Sequence, residues 1–462
     1  MIVLKIPSLQ EVKDAMYMSR SRFREHAEYL LKESHVFELA LNSDVYRRLW
    51  GEKRYSPEPA SLLEMPKLNS TFYATFDEKD PRIPSGPVMS GNEGWLCSTG
   101  SRKMKYFPFS PYDRDRLGVV CSKHNMIIGI SPGDVFVNTG AEPPHCSLTM
   151  AQIVSDAYGT ESVPVVRGMK PEEAMGKLMG NADKIVGITG VPLVTLRFLS
   201  GAAANIPRPF RQVFPKFRVA ILGGENINKR QRDAFQRLGI ECYEIYASAE
   251  LFVPATECTE HDGLHLYGDD IVSYLRTEDE DGTKHNKFIW ECQKGDIGEL
   301  VVTTPNREAF PLVNYETNDV LEVLATECKC GITSPKVKII SRTDNVMNIG
   351  GAKAYEHHIE RAFEELGKAH VIPDWQIHWT QENNGGVGYH RFDILIDNDA
   401  LNQGDVRNAL LEVLSKDKRT EQLLQANEAG ILDIKVCPLP HKEYEQKAVA
   451  ARHKRVRIVK KF

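Results

Sequence analysis

The hydrophobic positions of this 462-residue chain change period along its length. Between Arg20 and Leu41, RSRFREHAEYLLKESHVFELAL sets apolar residues three and four apart, the spacing of an amphipathic helix. A polar, proline-containing connector is expected from Arg54 to about Ile83. From about Gly118, short β-rich runs (GVVCSKHN, GDVFVNTG, VPVVRG, IVGITG and RVAILGG) end in glycines or polar turns, and helical stretches such as NKRQRDAFQRLG lie between them. Strands separated by helices predict a mostly parallel α/β sheet. From Gly298, GELVVTT and KVKIISR read as further strands of a small barrel or hairpin region, and RTEDEDGTKHNK as a solvated hairpin loop.

Beyond Asp344 the pattern changes again. HHIERAFEEL and DVRNALLEVLSKDKRTEQLLQAN read as amphipathic helices. WQIHWTQENNGGVGYHRFDILID reads as two strands around an Asn-Asn-Gly-Gly turn, and LDIKVCPLP as another strand. The expected fold is therefore α/β: a large N-terminal domain with mixed or parallel sheets over residues 1–343, and a smaller α+β C-terminal domain over residues 344–462.

Charge and composition narrow the function classes. A net charge of −5 gives no general attraction to nucleic acid or to an anionic membrane. No apolar run is long enough to span a bilayer, and MIVLKIPSLQEVKDAM carries no signal-peptide core, so a cytoplasmic protein is expected. In that setting the nine cysteines do not read as a disulfide framework.

Five segments carry candidate chemistry. Ser98-Thr99-Gly100-Ser101, followed by Arg102, Lys103 and Lys105, offers the hydroxyls, backbone N–H groups and cations that a triphosphate needs. Gly223-Gly224-Glu225-Asn226 follows the strand RVAIL, where glycines let a flat ring approach the backbone. Tyr246-Ala247-Ser248-Ala249-Glu250 follows the strand ECYEIY and ends in a possible metal-holding carboxylate. Tyr315-Glu316-Thr317-Asn318-Asp319 ends in a carboxylate able to accept from a vicinal diol, and Ser341-Arg342-Thr343-Asp344-Asn345 lies downstream. The fifth segment is LPHKEYEQKAVAARHKRVRI. Taken singly, most of these also read as ordinary polar turns.

In order and spacing the five resemble the adenylate-forming superfamily, in its phenylacetate–CoA ligase branch, over most of the chain. The resemblance implies ATP, Mg²⁺ and coenzyme A as ligands, and an aryl or otherwise bulky carboxylic acid as substrate. It places triphosphate at Ser98–Ser101, adenine at Gly223–Asn226 and nucleotide contacts at Tyr246, Ala247 and Ser248. It gives Mg²⁺ to Glu250, ribose to Asp319, ribose or phosphate to Arg342, and the interdomain hinge to Asp344. Lys447 aligns with the family's catalytic lysine once two residues are taken as inserted; an alignment on the trailing Lys-Arg-Val instead brings up Arg452, with Lys454 beside it. The acid pocket is expected between the Ile188–Pro192 strand end, the Gly223 loop and the Tyr246–Phe252 segment, with His145 and Phe252 as candidate lining. The chain departs from the family pattern at Lys103, Ala247 and Ala249. Those departures leave open an acyl transfer to an amine or carrier protein, and a nucleotide-binding protein that does not turn over.

Cys258 and His265, with Cys328-Lys329-Cys330-Gly331 later, form two sulfur/nitrogen pairs that can close a structural Zn²⁺ site of the Cys₃His type, with His261 as an alternative ligand. Members of the same branch look similar in these segments, and the branch also implies a homodimer.

Overall fold

The computed structural model of the chain describes residues 5–69, 95–99, 104–142, 145–166, 169–206, 208–224, 226–227, 229–278, 283–343, 347–349, 352–354, 375–384, 387–396, 402–415, 424, 432–438 and 458–460. Two compact units emerge: Met1–Thr317 with Leu321–Lys338, and Asn318–Val320 with Ile339–Phe462.

The first unit opens with helices. Leu9–Met16 starts at a capping box, in which Ser8 Oγ accepts from the Glu11 N–H and the Glu11 carboxylate accepts from the Ser8 N–H. The helical run from Arg20 is divided. Arg20–Arg22 is a single tight turn, and His35, with φ +51°, separates Phe23–Glu33 from Val36–Ala40. A left-handed residue just past a helix end is a normal stop, which periodicity alone does not reveal. Within the expected connector, Pro59–Glu64 is helical with Pro59 in its first turn, and β1 (Leu68–Asn69) pairs in parallel with Tyr315 and Glu316. Next, β2 (Trp95–Thr99) and β3 (Met104–Pro108) form an antiparallel pair.

GVVCSKHN is helical rather than a strand. Gly118–Val120 closes the helix Pro111–Val120, which begins at a Ser110–Asp113 capping box, and Lys123–Ile127 forms another. Gly118 packs so tightly that a Cβ there would stand 2.8 Å from the Cβ of Ala157 on the helix Cys146–Tyr158. Packing of the two helices thus decides the structure of an apolar run whose residue types suit a strand.

The parallel core follows. β4 (Val135–Asn138), β5 (Glu161–Pro164), β6 (Ile185–Gly190), β7 (Val219–Gly223) and β8 (Glu241–Ser248) lie in the order β8-β7-β6-β4-β5. Both faces are buried. Val135, Val137, Ile185, Ile188, Ala220 and Leu222 pack in one cluster with Phe214, Phe217 and Phe235, while Phe136, Val186, Val219 and Ile221 pack in the other. Alternate residues thus feed opposite faces, which is why these strands read as continuous apolar runs.

β9 (Phe252–Glu257), β10 (Leu264–Leu266), β11 (Val272–Glu278), β12 (Lys284–Phe288), β13 (Ile297–Thr303), β14 (Tyr315–Ala325) and β15 (Lys336–Arg342) follow, and of these β13 and β15 are GELVVTT and KVKIISR, expected in a small barrel or hairpin region. Their pairing instead continues the same sheet, in the order β12-β11-β13-β14-β15-β10-β9-β8, to thirteen strands among the described residues. β11 and β12 are antiparallel on either side of the acidic loop.

In the second unit, β16 (Met347–Ile349) pairs with β17 (Ala352–Ala354). β18 (Trp375–Asn384) and β19 (Val387–Ile396) form a ten-residue antiparallel ladder; β20 (Leu432–Pro438) and β21 (Ile458–Lys460) add in parallel on either side. Helix Gln403–Ser415 buries Val406, Leu410 and Leu414. HHIERAFEEL lies outside the described residues.

Candidate active site and metal centre

β4 comes first among the parallel strands in sequence but lies inside the sheet. The chain runs outward to β5 and returns on the other side of β4 to β6. At such a reversal the connections leave in opposite directions, and a crevice opens beyond the carboxyl ends of the strands. Thr139, Thr189 and Gly190 stand at this reversal. The Thr139 N–H donates to the Thr189 carbonyl at 2.9 Å, and the Thr139 and Thr195 hydroxyls lie 3.0 Å apart. A Cβ at Gly190 would come 2.1 Å from Thr139 Oγ1, so only glycine fits.

The next two strands end in predicted site residues. Gly223-Gly224 closes β7, and Gly224 has φ +89°, a conformation natural to glycine. Asn226 is half-buried, and the Ile227 N–H lies 3.4 Å from the Glu244 carboxylate on β8. Tyr246, Ala247 and Ser248 end β8, with Tyr246 buried. Ser98 and Thr99 lie on β2. Gly100, Ser101, Glu225, Asp344 and Lys447, together with Arg452 and Lys454, lie outside the described residues.

The turn from β8 to β9 carries Glu250. Ser248 pairs with Phe252 across it, and the Leu251 N–H donates to Ser248 Oγ at 3.2 Å. Phe252 has φ +61° and is fully buried, its ring centroid 5.0 Å from that of Phe109. A bulky side chain in that backbone conformation is strained and persists because its surroundings enforce it. Glu250 is buried; the Tyr315 hydroxyl donates to its Oε1 at 3.4 Å, and Arg307 Nη2 donates to its backbone carbonyl at 2.7 Å. His145 is half-buried at the start of helix Cys146–Tyr158.

On β14, Asn318 takes φ +63°. Asparagine is the non-glycine side chain that best tolerates the left-handed region, so it can hold the backbone path into Asp319. Asp319 is buried and accepts from Arg342 Nη1 at 2.8 Å. Glu316 pairs with Arg276 at 2.5 Å and accepts from Asn69 Nδ2 at 2.9 Å. The structure thus brings together two pairs of predicted residues from separate motifs: Glu250 with Tyr315, and Asp319 with Arg342.

Cys258, His265, Cys328 and Cys330 converge, with all four donor atoms within 4.8 Å of one another. Cys258 follows β9, His265 sits on β10, and Cys328 and Cys330 lie between β14 and β15. The Cys258 and Cys328 sulfurs are 3.7 Å apart, against about 3.8 Å for two thiolates on one tetrahedral zinc. Cys330 Sγ lies 3.3 Å from His265 Nε2. His265 Nδ1 is 2.7 Å from the Ser334 carbonyl, an acceptor, so Nδ1 carries the proton and the Nε2 lone pair faces the sulfurs. Burial holds His265 below the usual histidine range, which keeps the ring neutral as a ligand must be. Burial also pushes the Cys258 thiol up, so its thiolate needs a cation nearby. The donor set fits Zn²⁺. His261 turns elsewhere, its Nε2 lying 2.9 Å from Glu241.

Arg307, buried in the loop before β14, belongs to no motif, although it immediately precedes the EAFPLVN run that leads into Tyr315. Thr139 likewise carries no motif, and only its place at a strand end marks it, whereas Gly190 falls within the Ile188–Pro192 strand end expected to border the acid pocket.

No protein-family model matches the chain. It is 26% identical over 358 residues to the phenylacetate-coenzyme A ligase of Thermus thermophilus, covering 72% of this chain and 73% of that protein. It is 28% identical to the phenylacetate-coenzyme A ligase of Pseudomonas putida over 55% of this chain and 52% of that protein. In fold it is similar to 2-hydroxyisobutyryl-CoA ligase in the postadenylation state in complex with 2-HIB-AMP, with a TM-score of 0.66 at 16% identity over 96% of this chain and 90% of that one. It is also similar to O-succinylbenzoate coenzyme A synthetase of Bacillus subtilis in complex with ATP and magnesium ion, with a TM-score of 0.52 at 14% identity over 76% and 67% of the two chains. Among the described residues no helix is long and apolar enough to cross a membrane.

Proposed function

We propose that this chain, an adenylate-forming, phenylacetate–CoA ligase-like protein, activates a carboxylic acid as its acyl adenylate and passes the acyl group to coenzyme A. One observation carries the reading: motif residues from separate segments meet in pairs, Glu250 with Tyr315 and Asp319 with Arg342. Relatives named as phenylacetate-coenzyme A ligases, and structures of the same fold holding ATP with magnesium or an acyl adenylate, support it.

In the first half-reaction a carboxylate oxygen attacks the α-phosphorus of ATP, the bond to the bridging oxygen breaks, and pyrophosphate leaves. The chain's part is to position the reactants and offset charge. Gly223, Gly224, Glu225 and Asn226 line the adenine, with Tyr246, Ala247 and Ser248 beside it. Ser98, Thr99, Gly100 and Ser101 face the triphosphate. Asp319 accepts from the ribose hydroxyls, and Arg342, which holds it at 2.8 Å, can also reach ribose or phosphate. Glu250 would hold Mg²⁺, which would neutralise phosphate charge, and Lys447 would supply a cation between the attacking carboxylate and the α-phosphate. In the second half-reaction the coenzyme A thiol attacks the acyl carbon and AMP leaves, with Asp344 as the hinge between domains 1–343 and 344–462. The acid is aryl or otherwise bulky. Cys258, His265, Cys328 and Cys330 would hold a structural zinc, which would tie the β9–β10 and β14–β15 segments together.

The test is acid-dependent exchange of labelled pyrophosphate into ATP across aryl and aliphatic acids. Exchange is expected with one class of acid, and should fall by at least about a hundredfold in Asp319→Ala, which removes two charge-assisted hydrogen bonds. Thioester should form when coenzyme A is added. ATP binding without exchange for any acid would overturn the reading. Exchange with no thioester would leave adenylation intact and move the acceptor to an amine or a carrier protein.

A further inference from the structure

Arg307 lies between β13 and β14 and is only 4% exposed. Its guanidinium meets two segments. Nη2 donates to the Glu250 carbonyl at 2.7 Å, and Cζ stands 4.6 Å from the centre of the Phe109 ring. The charge of Asp113 also acts on the guanidinium. The Asp113 carboxylate also accepts from the N–H groups of Glu308 at 2.7 Å, Ala309 at 3.0 Å and Ser110 at 3.2 Å. Burial pushes the Asp113 carboxyl up, while Arg307 and those three N–H groups pull against it. Asp113 therefore fixes the backbone just after Arg307 and opposes its charge. The direction in which the arginine points is set by the helix Pro111–Val120 rather than by its own flexible stem.

The group it points at belongs to a strained turn. Phe252, two residues beyond Glu250, has a left-handed backbone and packs on Phe109, the same ring that Arg307 covers. Ring, guanidinium and carbonyl thus form one stack against which the turn is pressed. A guanidinium is costly to bury, and here its hydrogen bond goes to the backbone of the residue proposed to hold Mg²⁺. A lysine could keep the charge, but one ammonium cannot both lie flat on the ring and reach the carbonyl.

We propose that Arg307 is a positioning residue that holds the Ser248–Phe252 turn so that the Glu250 carboxylate is presented to the magnesium of Mg·ATP. This rests on the reading of Glu250 as the metal-holding carboxylate. Buried in the loop before β14 with Asp113 opposing its charge, Arg307 acts through the geometry of the turn rather than through its field.

The test is a Mg²⁺ titration of pyrophosphate exchange at saturating acid, in the wild-type enzyme, in Arg307→Lys, and in the double variant Arg307→Met with Asp113→Asn, which leaves no buried charge unpaired. Half-saturating Mg²⁺ should rise about tenfold in both, the loss of one charge-assisted hydrogen bond, with unfolding midpoints close to wild type. A role in stability alone would lower the midpoint and the maximal rate but leave half-saturating Mg²⁺ where it is. An unshifted Mg²⁺ dependence in either folded variant overturns the proposal, and so does loss of folding in both. Absence of exchange in the wild-type enzyme would instead overturn the proposed reaction. Electron paramagnetic resonance of Mn²⁺·ATP binding would then still report whether Arg307→Lys weakens the metal site.

Discussion

Cys258, His265, Cys328 and Cys330 reach one point from two segments of the chain up to 72 residues apart, whereas Glu250 and Asp319 each rest on a protein donor, Tyr315 and Arg342. The chemistry of the groups explains the contrast. Buried thiols resist ionisation, and thiolates once formed repel one another, so the protein alone gains little by gathering three of them around an imidazole. A cation makes that arrangement favourable, and the cluster therefore names its ligand class by itself. A carboxylate with a nearby hydroxyl or guanidinium is also what a plain structural ion pair looks like. Glu250 and Asp319 acquire a role only through the order of the motifs around them.

The largest effect should come from breaking the sulfur cluster. Natively purified, chelator-washed protein should carry about one zinc per chain. Cys258→Ser should lose the metal and more than about 4 kcal/mol of stability in denaturant titrations, because metal binding in such a site is folding free energy. Asp319→Ala should stay within about 1 kcal/mol of wild type in the same titration, since it deletes a pair whose arginine is partly exposed. A metal-free chain as stable as the loaded one would erase the contrast between the two regions.

A middle-sized effect tests the backbone under Asp319. Asn318, at φ +63°, should accept glycine with little change. Asn318→Val should cost about 1–3 kcal/mol, because a β-branched residue is strained there. It should also weaken ATP in the exchange assay, since Asp319 is the next residue. Equal stability of the valine and glycine variants would mean that the left-handed residue is not fixed by the fold.

Much of this architecture is legible in the sequence because it rests on local rules. The runs GDVFVNTG, IVGITG and RVAILGG read as strands because both faces of the parallel core are buried, so every position in them favours an apolar or small residue. The cysteines and His265 are legible because sulfur and imidazole at such spacings have few other uses. GVVCSKHN misleads because its residue types suit a strand, and only the close approach of the helix carrying Ala157 decides otherwise. The continuity of the sheet beyond β8 depends on pairings between strands far apart in sequence, such as β10 with β15, which no local pattern encodes. Arg307 is illegible for a similar reason: its partners come from the helix after Ser110, the Phe109 ring and the β8–β9 turn.

The smallest effect asks whether the two regions share a charge. Glu257 precedes Cys258, and Glu244 lies beneath Ile227, in the segment that follows Gly223 and Gly224; Arg232 approaches both, at 2.8 Å and 3.6 Å. Burial first, then the Glu257 charge, raises the Glu244 carboxyl to about 7, against the pull of Arg232, the Ile227 N–H and Lys338. The folded chain therefore keeps a proton that the unfolded chain releases. Below about 4.5 both states hold it; as the pH climbs to about 7 the unfolded state ionises first, so this contribution to stability is lost across that window. Denaturant titrations over that range should show wild type losing on the order of 1 kcal/mol relative to Glu244→Gln, which cannot titrate. A difference that stays flat would move the pH dependence away from Glu244. A difference that follows the predicted window would show that protons taken up beside the cysteine cluster also act on the segment proposed to hold adenine, and ATP affinity in wild type but not in Glu244→Gln should then change over the same pH range.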